Sequence, residues 1–252
     1  GLAFQAELAL GRKQPEQAVK AYRQALSVHD GLLVRLGLAR ALLASGDPDA
    51  ADAEIAKVLE QVPENLPALY LKAVSASQRE DFDGAKSQLQ ALLAKSPEHY
   101  PSMLLLGAIQ YNLGEYEQAI SNLVSYLAED VANVRAKKLL AQSYMKLGDV
   151  ERAIERLESA ADTAQNDPQL MSMLGKLYTD KGDYDTGQRY YEKALALAPG
   201  TKELETRIAL NRWAAGEHDQ AIEDLSAIVS EGDEFLPAEL ALISAKVASK
   251  DY

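Results

Sequence analysis

Hydrophobic and polar positions alternate along this chain with a period close to a helical turn, and Met171–Pro199 (MSMLGKLYTDKGDYDTGQRYYEKALALAP) shows the pattern in one unit. Met171, Leu174, Gly175 and Tyr178 recur at three- and four-residue intervals, so they share one face of a helix of about 3.6 residues per turn. Gly187, Tyr191 and Ala194 repeat the arrangement further on, and Pro199 closes it. Between the two runs stands Lys181-Gly182-Asp183. Gly182 accepts the left-handed conformation that stops a helix, and Asp183 suits the N-terminus of the next one. The stretch predicts a helical hairpin.

Intervals of 34 residues from Gly182 land on Gly148, Gly114, Glu80 and Gly46 in one direction, and on Gly216 and Lys250 in the other. The same interval links Ala39, Ala73, Gly107, Ala141, Gly175 and Ala209 on the first helices, where two helices must approach closely. It also links Ala51, Ala85, Ala119, Ala153, Gly187 and Ala221 on the second helices. A fixed period of this length marks a stacked array. Repeats are predicted over 1–31, 32–65, 66–99, 100–133, 134–167, 168–201 and 202–235, with a partial one over 236–252.

Departures from the period carry their own expectations. The step from Ala18 to Ala51 is 33, which places a one-residue deletion near His29-Asp30-Gly31. Pro15 follows Lys13-Gln14 and is tolerated in the first turn of a helix. Glu80 occupies a Gly position, which costs little if that turn avoids positive φ. Val131, standing where Pro is common, lets the second helix of its repeat run long. Ser230–Glu234 reads as a polar turn, and Asp251-Tyr252 matches the turn at 183–184, so the eighth repeat has its first helix only.

These columns resemble the tetratricopeptide repeat (TPR), whose hairpins carry a W/L-x2-L-G-x2-Y … A-x3-F/Y-x2-A … P pattern. The resemblance covers the whole chain. It implies an all-α fold: a TPR α-solenoid of about seven and a half antiparallel hairpins, one continuous array over residues 1–252, coiled into a right-handed superhelix. Because the chain starts at Gly1 and stops inside a hairpin, it is expected to be a fragment of a longer one.

Composition changes this picture little. Apolar residues at 47% and charged residues at 25% suit a folded chain. With only 3 Phe and 1 Trp, Leu, Ala and Tyr must fill the layers between helices. A net charge of −12 opposes nucleic-acid binding, which rests on neutralising phosphates with Lys and Arg, and it disfavours anionic membranes. No Cys is present, and no apolar run is long enough to span a bilayer, so no disulfide, thiol nucleophile or direct membrane insertion is expected.

Candidate chemistry is sparse. His29, His99 and His218 sit at turns of separate repeats without a ligand partner at helical spacing, so no metal site is expected. His218 shares its column with Phe82, Tyr116, Tyr184 and Tyr252, which favours packing. Glu151, Glu155 and Glu158 are interleaved with Arg152 and Arg156 as on a solvated helix face. Neither a phosphate loop nor a catalytic triad order is present, so the chain reads as no enzyme, with no cofactor.

Binding is the better prospect. In arrays that the TPR resemblance implies, first helices line a concave groove, and positions two, five, nine and twelve of each repeat face it. Among these, the candidate peptide-binding residues are Leu36, Arg40, Tyr70, Val74, Leu104, Tyr111, Arg135, Lys138, Gln142, Lys176, Leu210 and Trp213; Leu43 and Thr206 share the same register. The earlier repeats read as apolar and aromatic, and Arg135, Lys138 and Lys176 form a cationic spot suited to an acidic residue or a C-terminal carboxylate of an extended peptide. Charge reversal of Lys138 and Lys176 is then expected to weaken such a peptide without lowering the melting temperature. The same side chains also fit plain packing or solvated charge. The chaperone-binding subfamily's Lys/Asn clamp is not matched by Leu104/Ala108, Lys138/Gln142 and Ser172/Lys176.

Val131–Ala141 (VANVRAKKLLA), Tyr144–Ala153 (YMKLGDVERA) and the KALALAPG ending resemble the bacterial repeat lipoproteins of the PEP-CTERM/exosortase system. That resemblance implies a scaffold for envelope or exopolysaccharide assembly, periplasmic and attached to the outer membrane; without it, the cytoplasm is the expected location. The alternative is the regulatory array of a larger enzyme such as a glycosyltransferase. Self-association through the incomplete last repeat is a third expectation.

Overall fold

The computed structural model describes residues 1–230 and 234–249, and among them every regular element is a helix. Glu231, Gly232 and Asp233 of the expected polar turn, and Lys250, Asp251 and Tyr252 of the expected turn after the last helix, lie outside the described residues. The chain divides into two compact units, Gly1–Glu129 and Asp130–Tyr252. The first holds α1 (Leu2–Gly11), α2 (Pro15–Val28), α3 (Leu32–Ala44), α4 (Pro48–Gln61), α5 (Leu66–Gln78), α6 (Phe82–Lys95), α7 (Tyr100–Asn112) and α8 (Tyr116–Glu129). The second holds α9 (Val134–Lys146), α10 (Val150–Ala161), α11 (Pro168–Asp180), α12 (Tyr184–Leu197), α13 (Lys202–Ala214), α14 (His218–Ser230) and α15 (Leu236–Ser249).

Short polar residues start these helices. Asp47, Asn65, Asp81, Asn133, Asp149, Asp167 and Asp183 each accept a hydrogen bond from the backbone N–H three residues on, satisfying a donor that a helix terminus leaves free. Within hairpins, Gly182 at φ +84° ends α11, and the Asp183 amide donates back to Tyr178 across the turn. The condition for a low cost at Glu80 is not met: it takes φ +61° at the same turn, and Lys13 takes +57°. The closing hydrogen bond from the Asp81 amide to Ala76 demands that geometry whatever side chain is present, so Glu80 bears a strain of about 1 kcal/mol that glycine would avoid.

The linker between α2 and α3, residues 29–31, is one residue shorter than residues 62–65 between α4 and α5, which locates the deletion where the period puts it. Pro15 and Pro237 fall in opening turns of their helices. The expected extension beside Val131 does not occur. α8 ends at Glu129, in register with Lys95 of α6, because Asp130 and Asn133 form the next turn and Asn133 caps α9.

Small residues then set the helix spacing. Ala39, Ala73, Ala141 and Ala209 on first helices, and Ala51, Ala85, Ala119, Ala153 and Ala221 on second helices, are fully buried. Leu89 and Leu123 in the first unit, and Leu157 and Leu225 in the second, fill the layers; each contributes about 1.5–3 kcal/mol by burial. At Gly175 the approach is close enough that a Cβ there would lie 2.7 Å from the Tyr191 ring, and at Gly37 a Cβ would lie 2.4 Å from the Tyr22 ring. First helices also touch the first helices of the next hairpin: α1 with α3, α3 with α5 and α5 with α7 in one unit, α11 with α13 and α13 with α15 in the other. Each unit therefore keeps its first helices on its tighter side, where the candidate residues lie.

Candidate binding face and its cavity

In the first unit the candidate side chains are largely engaged by their neighbours. Leu36, Tyr70 and Val74 are half-buried against the core around Ala39, Leu42 and Leu71. Tyr70 also meets the His99 ring, centroids 5.4 Å apart, and Tyr111 stands edge-on to Tyr116 at 5.6 Å. Leu104 is half-buried. Leu43 is buried, so its groove position belongs to the core. Arg40 is exposed and pairs with Glu7, which also accepts from the Tyr22 hydroxyl. Burial, followed by the Glu7 carboxylate, pushes the Tyr22 phenol up to about 12.

The cationic spot is altered by its partners in the second unit. Lys138 donates from Nζ to Asp167 Oδ2 at 2.9 Å and to Gln169 Oε1 at 2.6 Å. The pair is substantially covered, with side-chain exposures of 17% and 26%. Although burial opposes ionisation of Asp167, the bonds from Lys138 and the Leu170 amide hold its carboxyl below the ordinary range. Lys176 is exposed and bonds Asp180 one turn along at 2.6 Å. Arg135 is exposed and Gln142 half-buried. Two of the three expected cations are thus already neutralised by carboxylates of this chain.

Where α11, α13 and the start of α15 adjoin, the second unit opens a cavity of about 490 Å³. Lys176, Thr179 and Asp180 line it from α11, Tyr191 from α12, and Glu203, Thr206, Arg207, Leu210 and Asn211 from α13; Phe235 and Pro237 complete the wall. Arg207 pairs with Glu203 at 2.7 Å. Burial works against the Arg207 charge, yet the Glu203 carboxylate raises its pKa overall, while burial raises that of Tyr191. At the base, the Thr179 hydroxyl lies 2.5 Å from Asn211 Oδ1, and Asn211 Nδ2 donates to Tyr184 O at 3.0 Å and Gln188 Oε1 at 3.1 Å. The wall therefore offers apolar surface beside two balanced ion pairs, above a buried amide that is already hydrogen-bonded within the chain.

Of the twelve candidates, Lys176 and Leu210 meet at this cavity. Trp213 packs with Ala209, Leu225 and Ile228 and stacks on His218 at 4.2 Å, which realises the packing reading of that histidine. Thr206, also at a groove position, is buried and donates to Lys202 O. Tyr191, Arg207, Asn211 and Phe235 escaped the sequence reading. A signal existed for Arg207: at the same column stand Met173, Leu139, Leu105, Leu71 and Gly37. A charge in an apolar column marks a place where a wall has opened.

Three family models, each for the tetratricopeptide repeat, match the chain: one over residues 9–74 and 113–177, one over 70–130 and one over 168–201. The chain belongs to the tetratricopeptide repeat family. No curated protein matches it. Among solved structures, this TPR chain resembles pilF of Pseudomonas aeruginosa with a TM-score of 0.71 at 16% identity, covering 84% of this chain and 97% of that one. MamA from Desulfovibrio magneticus RS-1 gives 0.63 at 20% identity, covering 68% and 96%. YrrB, described as "a TPR protein with an unusual peptide-binding site", gives 0.65 at 16% identity, covering 74% and 96%. At such identities the likeness is one of fold, the all-α TPR solenoid.

No described helix is long and apolar enough to cross a membrane, and the described residues hold no cluster of three His, Asp or Glu arranged for a metal ion.

Proposed function

We propose that this TPR chain is a non-catalytic scaffold that holds an extended segment of a partner protein on its first-helix face, seated in the cavity between α11, α13 and α15. The observation that carries the reading is that cavity. It places an apolar wall of Leu210, Phe235 and Pro237 beside the ion-paired polar side chains Arg207–Glu203 and Lys176–Asp180, the combination by which an extended peptide is held through one side chain and its backbone. The peptide-binding description of YrrB supports the same use of the fold. Because Lys138 and Lys176 are neutralised, the favoured segment presents an apolar side chain to Leu210; an acidic residue or terminal carboxylate is left Arg135, or must displace Asp180 from Lys176.

An envelope or exopolysaccharide setting rests on the resemblance of Val131–Ala141 and Tyr144–Ala153 to the exosortase-linked lipoproteins. Peptide-array screening, followed by fluorescence anisotropy on the best binder, tests the cavity. Leu210→Asp is expected to weaken binding by tenfold or more, about 1.4 kcal/mol, while Leu33→Asp, on an exposed position of the other unit, leaves it unchanged. Equal affinity for wild type and Leu210→Asp would remove the cavity from the proposal.

A further inference from the structure

Across α13 from the cavity that Leu210 lines, the second unit has a groove of about 420 Å³ between α12 and α14. Its floor is aliphatic: Ile208 and Ile228 are buried and Leu195 is half-buried. Its rim carries the carboxylates of Glu192, Glu205 and Asp224 against one cation, Arg212. Helices of the array stand on both sides of this groove, so the side chains that line it decide whether it is open.

Other repeats show what these positions hold when the groove is filled. One period earlier, Tyr178 and Tyr190 stand at the columns of Arg212 and Asp224. Their rings stack with centroids 5.6 Å apart, and Tyr178 donates at 2.6 Å to Glu158, the counterpart of Glu192. Five periods of 34 residues before Glu205 and Asp224 stand Arg35 and Glu54, which form an ion pair at 2.5 Å. Where that hairpin joins opposite charges, α13 and α14 bring two carboxylates. Arg212 answers Asp224. Among the described residues Glu205, half-buried, has no hydrogen-bond or ion-pair partner, and Glu192 accepts from Gln188 Nε2 at 3.0 Å but pairs with no cation.

We propose that this groove receives a Lys or Arg side chain from an extended basic segment of a partner protein, its stem on Leu195, Ile208 and Ile228 and its charged head between Glu192 and Glu205. Charge and shape together select that occupant. A long aliphatic stem with a cationic tip covers the apolar floor and meets the unanswered carboxylates. A purely apolar side chain would cover Glu205 and leave its charge unpaired, which is costly. Among the described residues no three carboxylates converge as for a metal ion, so a compact cation does not reach these groups together. The site is separate from the cavity between α11, α13 and α15. At about 100° per residue, Glu205, Ile208 and Arg212 lie on the opposite side of α13 from Glu203, Arg207 and Leu210.

Titration of the chain with the blocked peptide acetyl-Ala-Leu-Arg-Leu-Ala-amide, followed by amide and methyl NMR, tests this, and the spectra also report whether each variant is folded. Saturable shifts are expected at the groove residues of α12, α13 and α14. The same peptide with norleucine in place of arginine should bind about tenfold more weakly. E205Q and E192Q should each weaken the arginine peptide, whereas E151Q, which removes an exposed carboxylate from α10, should leave its affinity unchanged. Glu205→Arg should abolish binding, because an arginine there closes the groove by pairing with Asp224 as Arg35 pairs with Glu54. Absence of saturable shifts at the groove, or equal affinity for the norleucine peptide, overturns the proposal. An equal loss with E151Q overturns it as well, by assigning the attraction to the protein's general acidity. Wild-type affinity in a folded Glu205→Arg places the contact elsewhere and also refutes it.

Discussion

Gly175 shows at residue scale how the repeat adapts to its contents. Four other repeats place Ala at this column and Ile or Leu at the facing one, as with Ala39 and Ile55 or Ala141 and Leu157. Here a tyrosine ring fills the space, and a Cβ on Gly175 would press on Tyr191 Cδ1 at 2.7 Å. Gly175→Ala is therefore expected to cost about 1–3 kcal/mol by overpacking, and Gly175→Leu at least as much. Tyr191→Leu should also destabilise, by removing buried ring surface. Combined, Gly175→Ala and Tyr191→Leu recreate the pairing of the other repeats, so the double variant should be more stable than the sum of the singles by at least about 0.5 kcal/mol. Urea denaturation of the four proteins gives the coupling, and strict additivity would mean that the ring does not set this approach. The small column was legible in the sequence because close approach admits only Gly or Ala. The strain at Glu80 was not, because the turn's hydrogen bonds fix its φ and carry no mark in the side chain.

At the scale of elements, helix boundaries were legible wherever a cap and a glycine bracket the run, as Asp183 and Gly182 do. What a candidate side chain does once the helices stack was not. Lys138 reads as an isolated groove cation, yet its partner Asp167 stands 29 residues away, capping the next first helix. Asp167 joins two jobs: it accepts from the Leu170 amide and from Lys138. Replacing Lys138 consequently lowers stability, contrary to the expectation of a neutral change, whereas the exposed Lys176–Asp180 pair contributes only about 0.3–0.5 kcal/mol. Lys138→Met should cost about 1–2 kcal/mol near neutral pH. The Asp167 carboxyl has a folded pKa below its unfolded one, so its contribution is complete above the unfolded value, about 3.9, and disappears as pH falls through the folded value. The gap between wild type and Lys138→Met should accordingly narrow in acid. Urea melts at neutral and acidic pH measure it, and a gap that persists in acid would assign the loss to packing of the lysine stem.

For the whole molecule, a stacked array earns its stability from neighbouring hairpins, so the chain can be divided only where each piece keeps enough of them. The sequence gives no sign of a division, because the period runs without interruption from Ala39 to Ala209. The two compact units, Gly1–Glu129 and Asp130–Tyr252, each contain several complete hairpins and their own buried clusters. Expressed separately, each is expected to be helical and to unfold in one cooperative transition. A cut at Gly148, inside the hairpin of α9 and α10, should behave differently. It strips Ala136, Leu140 and Tyr144 of their cover from α10, and the piece ending there should lose α9 while keeping the helices of the first unit. Circular dichroism melts and hydrogen exchange distinguish these outcomes, since exchange in α9 should be fast in the piece 1–148 and slow in the piece 130–252. If the piece 130–252 does not fold, the cavity between α11, α13 and α15 depends on helices outside its own unit, and binding must then be assigned to the intact chain.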